Sequence, residues 1–155
     1  MKIHNILKPE LIKIDCQRTT TQDLLQEIIH NLKEKKFISN DKLILNKLIE
    51  REKLGSTSIG NHSAVPHTKV KGLKEPLLFI AISKGGIQYH ENDKEPVHLI
   101  ILILSPNESP IIHLQILAAA ASLIKKSKHL IKEVISINTA EELINIVKKH
   151  ETIND

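Results

Sequence analysis

Between Arg51 and Val70 the chain reads REKLGSTSIGNHSAVPHTKV, a concentration of residue types suited to handling a phosphoryl group. In-line attack on phosphorus needs a neutral, accessible imidazole nitrogen, together with donors and cations that hold the phosphoryl oxygens as charge develops. Pro66 restricts the backbone before His67, while Gly55 and Gly60 allow backbone N–H groups to approach an anion. Ser56, Thr57 and Ser58 supply hydroxyl donors, and Arg51 offers a permanent positive fork matched to phosphate oxygens. A phosphoramidate on His67 would remain energetic enough to pass its group onward, and the imidazole attacks at neutral pH without a metal. Residue types alone leave a loop histidine with no task as the plain alternative.

His113 is the second candidate, in the stretch Pro110-Ile-Ile-His-Leu. Its place in the first turn of a helix predicted over 111–124 matters, because free N–H groups and the dipole at a helix start attract anions. A semi-buried or surface histidine is the competing reading. His62 either lines the site or is a solvated loop residue, and the histidines at 4, 30, 90, 98, 129 and 150 read as surface or packing residues.

The elements that must position these groups alternate between helical and extended patterns. A short strand is expected at Leu11 to Ile14. The threonines Thr19 to Thr21 then offer N-caps to a helix with Leu24, Leu25, Ile28, Ile29 and Leu32 on one buried face. A second helix opens at Ser39-Asn40-Asp41, continues through Leu43, Ile44, Leu45, Leu48 and Ile49, and stops at Gly55, with Arg51 in its last turn. A loop is expected to Asn61 and a short extended segment over Ser63 to Val70. Leu77 to Ser83 and Val97 to Leu104 read as central strands buried on both faces. Ser109-Pro110 opens the next helix, whose alanines 118 to 121 are expected to pack closely on the sheet. A helical piece from His129 to Val134 precedes a last helix with a capping box at Thr139 to Glu142, and the residues after Lys149 are expected to fray. This predicts an α/β fold, a central mixed sheet with helices on both faces, in one domain spanning 1–155.

Composition agrees with that class. The chain is 41% hydrophobic but only 2% aromatic, so the core must be aliphatic. Its charged fraction of 26% and mean hydropathy of −0.13 lie far from the disordered regime. A net charge of +4 and pI near 9.1 would suit nucleic acid, but the lysines are dispersed and aromatic side chains for stacking are scarce, so no nucleic-acid partner is expected. A lone cysteine, Cys16, fits a reducing compartment and reads as a small buried side chain. No apolar stretch approaches the ~20 residues that span a bilayer, so no stable membrane insertion is expected.

Arg-Glu, then Gly-Ser-Thr, then Ile-Gly, then Ala-Val-Pro-His in this order resembles the signature of the type-2 EIIA domains of the bacterial phosphoenolpyruvate-dependent phosphotransferase system. The fructose, mannitol and nitrogen-regulatory members are of this kind. The resemblance extends loosely over the chain, including Asp93 to Val97 and the helix with His113, and its wording is somewhat closer to the nitrogen-regulatory members. It implies a cytoplasmic phosphocarrier in which His67 takes a phosphoryl group from an HPr-like donor. The group then goes to an EIIB domain, or the phosphorylation state regulates a target protein. Arg51 and His113 become catalytic partners, Gly55, Ser56, Thr57 and Gly60 a phosphate cradle, and no cofactor or metal is called for. The chain departs from the family at His62 and Ser63, where a glycine and an aliphatic residue are usual, and at Ser58, where many members have glycine.

Two other functions stay open on the sequence. His62, His67 and His113 could form a metal site of the zinc-hydrolase kind, although the glycine and hydroxyl surroundings suit an anion better. Alternatively, a binding module could keep the fold without the transfer chemistry.

Overall fold

In the computed structural model, which describes residues 1–153, two central strands are the scaffold for the rest. β5 (Leu77–Ile87) and β6 (Val97–Pro106) pair antiparallel, from Leu77 opposite Leu104 to Ile87 opposite Val97. Both are almost wholly buried because each face of the sheet is covered. Side chains alternate sides, so Leu77, Phe79 and Ala81 join one aliphatic cluster while Leu78, Ile80 and Ile82 join the other. This is the reason the two runs are uniformly apolar.

The remaining strands are short: β1 (Ile12–Lys13), β2 (Ser58–Gly60), β3 (Ser63–Ala64) and β4 (His67–Val70). The sheet runs β1-β5-β6-β3-β2, and β4 continues the line of β3 along β6. It is mixed, since β1 is parallel to β5, and β3 and β4 are parallel to β6. One face carries α1 (Thr21–Glu34) and α2 (Asp41–Leu54); the other carries α3 (Pro110–Lys126), α4 (Leu130–Val134) and α5 (Ala140–Ile153). The expected mixed α/β sandwich is therefore the observed one.

α1 forms as its sequence dictates. The Thr20 hydroxyl accepts the Asp23 N–H at 3.2 Å, and Leu24, Leu25, Ile28, Ile29 and Leu32 are all buried. Each such side chain contributes on the order of 1.5–3 kcal/mol by leaving water. α2 behaves differently: of its apolar residues only Ile44 and Leu48 are buried, while Leu43 and Leu54 face solvent. In α3 only Ala120 of the alanine run is fully buried, and Ala118 is exposed, so the run as a whole does not lie on the sheet.

Two further expectations are corrected. The segment after Gly55 is not a loop followed by one extended stretch: β2 and β3 form a hairpin joined by Asn61 and His62, both left-handed at φ 51° and 57°. Left-handed geometry at both central positions matches the twist of hairpin strands. It also explains why a glycine is usual at the position of His62. The chain end does not fray from Lys149, because α5 runs to Ile153 and the buried Glu151 carboxylate is tied to the N-terminus. It accepts the N–H groups of Ile3 at 2.6 Å and His4 at 2.8 Å, and the His4 imidazole at 2.7 Å. Residues 154 and 155 lie outside the described residues.

Candidate functional site

His67 opens β4 instead of sitting in a loop. It pairs in register with Ile103, and Lys69 pairs with Ser105. Register partners in parallel strands share a face, and residues two apart along a strand do too. His67, Lys69 and Ser105 therefore lie on the side of the sheet that α3 covers, while Thr68 and Val70 point toward α2. The imidazole of His67 is fixed by its own chain, with Nδ1 2.7 Å from the Val65 carbonyl oxygen. A carbonyl can only accept, so Nδ1 carries the proton and Nε2 keeps its lone pair. The half-buried ring thus holds a nucleophilic nitrogen at Nε2.

Ser109 and Pro110 start α3, which places His113 in its first turn, buried at 8% exposure. Its ring centroid lies 5.6 Å from that of His67, with the planes tilted by 53°. Nδ1 of His113 is 2.7 Å from the hydroxyl oxygen of Ser105, itself fully buried at the end of β6. Burial, followed by the neighbouring charges of His67 and Lys69, pushes the His113 pKa below the ordinary imidazole value. His113 is thus a neutral imidazole at neutral pH. When Ser105 donates to its Nδ1, the remaining N–H lies at Nε2, available to an anion.

The other expected site residues divide. Arg51 stands in the last turn of α2, where its Nη1 donates to the Gly55 carbonyl at 2.8 Å on the Thr68 side of the sheet. No hydrogen bond joins it to His67. Gly55 donates its N–H to the Glu52 carbonyl at 3.2 Å. Ser56 accepts the Ser58 N–H at 3.1 Å and so keeps its own hydroxyl hydrogen for an outside acceptor. Thr57 is buried and donates its hydroxyl to Glu52 at 2.5 Å, and Ser58 donates to Asp93 at 2.8 Å. Gly60 pairs with Ser63 in the hairpin. Ser63 precedes His67 by four positions along the strand line, about 13 Å at strand rise. The structure thus brings His67 and His113 together, keeps Ser56 and Gly55 in the adjoining turn, and does not bring Thr57, Ser58 or Gly60 into a phosphate cradle.

His62 lies at the far end of that hairpin. Its Nδ1 donates to the Pro96 carbonyl at 2.8 Å, and its Nε2 is 3.0 Å from Glu95. The three histidines of the metal alternative do not converge, and among the described residues no group of His, Cys, Asp or Glu could hold a metal ion.

Sequence reasoning missed Lys69, Ser105, Glu52 and the Val65 carbonyl. Lys69 was detectable as the residue two after His67 on an extended segment. Ser105 was detectable as the polar residue that ends an unbroken apolar run. Also unforeseen is the apolar rim: Leu43 and Leu54 on α2 are 57% and 86% exposed, and Ile111 and Leu114 beside His113 are 69% and 67% exposed. Large apolar side chains left in water are of the kind a macromolecular partner can cover.

Residues 5–150 match the family described as phosphoenolpyruvate-dependent sugar phosphotransferase system, EIIA 2. The chain is 30% identical over 149 residues to a nitrogen regulatory protein homolog of Haemophilus influenzae, covering 92% of this chain and 88% of that one. It is 24% identical over 151 residues to the fructose-specific EIIABC component of Bacillus subtilis, spanning 97% of this chain but only 24% of that larger protein. The crystal structure of nitrogen regulatory protein IIA-Ntr from Neisseria meningitidis superposes with a TM-score of 0.81 at 27% identity, covering 94% of this chain and 98% of that one. The IIA mannitol domain in a complex with phosphorylated IIB from Escherichia coli shares the fold, at a TM-score of 0.77 and 17% identity over 92% of this chain and 97% of that one. Among the described residues no helix is long and apolar enough to cross a membrane. The chain belongs to the type-2 EIIA family of phosphocarrier domains of the phosphoenolpyruvate-dependent sugar phosphotransferase system.

Proposed function

We propose that His67 accepts a phosphoryl group through Nε2 from the phosphohistidine of an HPr-like donor, and passes it to a cysteine of an EIIB partner or holds it as a regulatory signal. The observation that carries this reading is the 2.7 Å contact between His67 Nδ1 and the Val65 carbonyl, which reserves the Nε2 lone pair for attack. In the transfer the new Nε2–P bond forms as the donor's N–P bond breaks, and the donor imidazole takes the electron pair. His113 donates its N–H to a phosphoryl oxygen, and Lys69 supplies positive charge on the same sheet face. Arg51 serves by leaving the Gly55 carbonyl for the arriving anion, a bidentate partner its guanidinium fits better.

The apolar rim of Leu43, Leu54, Ile111 and Leu114 supports a protein rather than a small molecule as donor and acceptor. A IIA–IIB pair is what the Escherichia coli mannitol complex contains. Identity of 30% to a nitrogen regulatory protein homolog, with a TM-score of 0.81 to a IIA-Ntr structure, supports a regulatory role. Phosphate on His67 would add roughly −1.5 to −2 charges to that rim, enough to change which partner it accepts. Cytoplasmic residence follows from this role. The test is the nitrogen at which phosphate sits, read by ¹H–¹⁵N NMR of the phosphorylated protein. Attachment at Nε2 is expected, and attachment at Nδ1 would overturn the reading.

A further inference from the structure

Behind His67, on the α2 side of the sheet, a second polar cluster is built around Glu52 of α2. One carboxylate oxygen of Glu52 accepts the Thr57 N–H at 2.9 Å. The other accepts the Thr57 hydroxyl at 2.5 Å and the Tyr89 hydroxyl at 3.0 Å, and those two hydroxyls are 2.9 Å apart. Thr57 and Tyr89 are both buried, at 4% and 5% exposure. A single carboxylate therefore closes the turn from the end of α2 to β2 and clamps it to the connection after β5, where Tyr89 lies. Charge-assisted bonds of this kind are shorter and stronger than neutral ones.

The clamp leads to the acceptor histidine. The Thr57 carbonyl accepts the Val65 N–H at 3.0 Å, and the Pro66 carbonyl accepts the Ile103 N–H at 2.9 Å. The Val65 carbonyl lies between these two anchors, and it is the group that receives Nδ1–H of His67. Pro66 has no N–H of its own with which to add a third anchor. Loosen the hold on Thr57, and the anchor at the Val65 N–H is weakened while the Ile103 anchor on the far side of the peptide stays.

We infer that Glu52, through Thr57 and the Val65 carbonyl, is a positioning residue that holds His67 in the Nδ1–H tautomer with Nε2 free. It touches neither the imidazole nor the place of the phosphoryl group. Its effect is to raise the fraction of protein whose nucleophilic nitrogen is both unprotonated and correctly aimed. This deepens the acceptor reading of His67 and rests on it only for the kinetic readout; the tautomer is a property of the resting protein.

The experiment measures the ¹⁵N shifts of the His67 ring in unphosphorylated wild type, Glu52→Gln and Glu52→Ala, and then the rate at which each accepts phosphate from phospho-HPr. Wild type should show a protonated Nδ1 and an unprotonated Nε2. Glu52→Ala should show the Nε2–H form rising to outweigh the Nδ1–H form by about ten to one and a rate reduced about tenfold, a barrier change of about 1.4 kcal/mol. Glu52→Gln keeps one acceptor oxygen for the Thr57 N–H and should fall between the two. If Glu52→Ala does not fold, the pair Thr57→Val and Tyr89→Phe loosens the same clamp with both positions filled and should shift the tautomer in the same sense. An unshifted tautomer in these variants overturns the inference, and so does a lower rate with an unshifted tautomer, since Glu52 would then act by another route. Failure of wild type to accept phosphate would count against the acceptor reading while leaving the tautomer comparison intact.

Discussion

The rings of His67 and His113 face each other from different elements, 5.6 Å apart at their centroids and tilted by 53°, one opening a strand and the other in the first turn of a helix on the same side of the sheet. Each has its Nδ1 engaged 2.7 Å from an oxygen, the Val65 carbonyl for His67 and the Ser105 hydroxyl for His113. In the proposed transfer the two Nε2 atoms serve one shared anion, the first as nucleophile and the second as donor.

Removing the donor should slow transfer without moving the phosphate. His113→Ala is expected to reduce the rate of phosphoryl acceptance about 10²-fold, the scale of losing one preorganised donor to developing charge, with the label still on His67. Ser105→Ala keeps the ring but frees its tautomer and should cost about tenfold. Rapid-quench measurements with phospho-HPr check both, and wild-type rates in both variants would contradict the pairing.

The depressed pKa of His113 has a stability consequence of definite sign. Because burial and the charges of His67 and Lys69 disfavour its proton in the fold, the unfolded chain binds that proton more tightly. Stability from this group is present above the unfolded value of about 6.5 and is lost as pH falls through the lower folded value. In urea unfolding between pH 7.5 and 5, His113→Leu should therefore lose acid sensitivity by up to about 1.4 kcal/mol per pH unit relative to wild type. An unchanged slope would show that His113 takes up its proton freely in the fold.

Among the described residues the Arg51 side chain hydrogen-bonds the exposed Gly55 carbonyl, so Arg51→Ala should change stability by less than about 1 kcal/mol. Its phosphoryl acceptance should nevertheless fall at least tenfold, and Arg51→Lys should recover only part of the loss because a point charge lacks the planar fork. Equal rates in all three proteins would remove Arg51 from the site.

Leu54 and Leu114 are exposed and should act through the partner. Leu54→Glu with Leu114→Glu is expected to raise KM for phospho-HPr about tenfold or more with little change in kcat, and to leave thermal stability within about 0.5 kcal/mol. Steady-state kinetics against donor concentration separates the two, and an unaltered KM would place docking elsewhere.

Much of the fold was legible because one physical cause dominated each element. The uninterrupted aliphatic runs of β5 and β6 report burial on two faces, and the spacing of Leu24, Leu25, Ile28, Ile29 and Leu32 reports a helix with one buried stripe. Where two causes competed, the sequence was ambiguous. Leu43 read as part of the apolar pattern of its helix, yet it stands in solvent, as do Leu54, Ile111 and Leu114. The hydroxyls of Thr57 and Ser58 were suited to an anion, yet they are taken by Glu52 and Asp93, pairings that no local spacing encodes. The residues after Lys149 were expected to fray, but Glu151 meets the N-terminal backbone across nearly the full length of the chain. His67 and His113 could be named from their own segments; their shared face needed the register of β4 on β6.

The most direct test of the account is the intact mass of the protein after incubation with phosphoenolpyruvate, enzyme I and HPr, with His67→Ala alongside the wild type. One acid-labile phosphate is expected on the wild type and none on a folded His67→Ala. A phosphate on His67→Ala, or none on either protein, would contradict it.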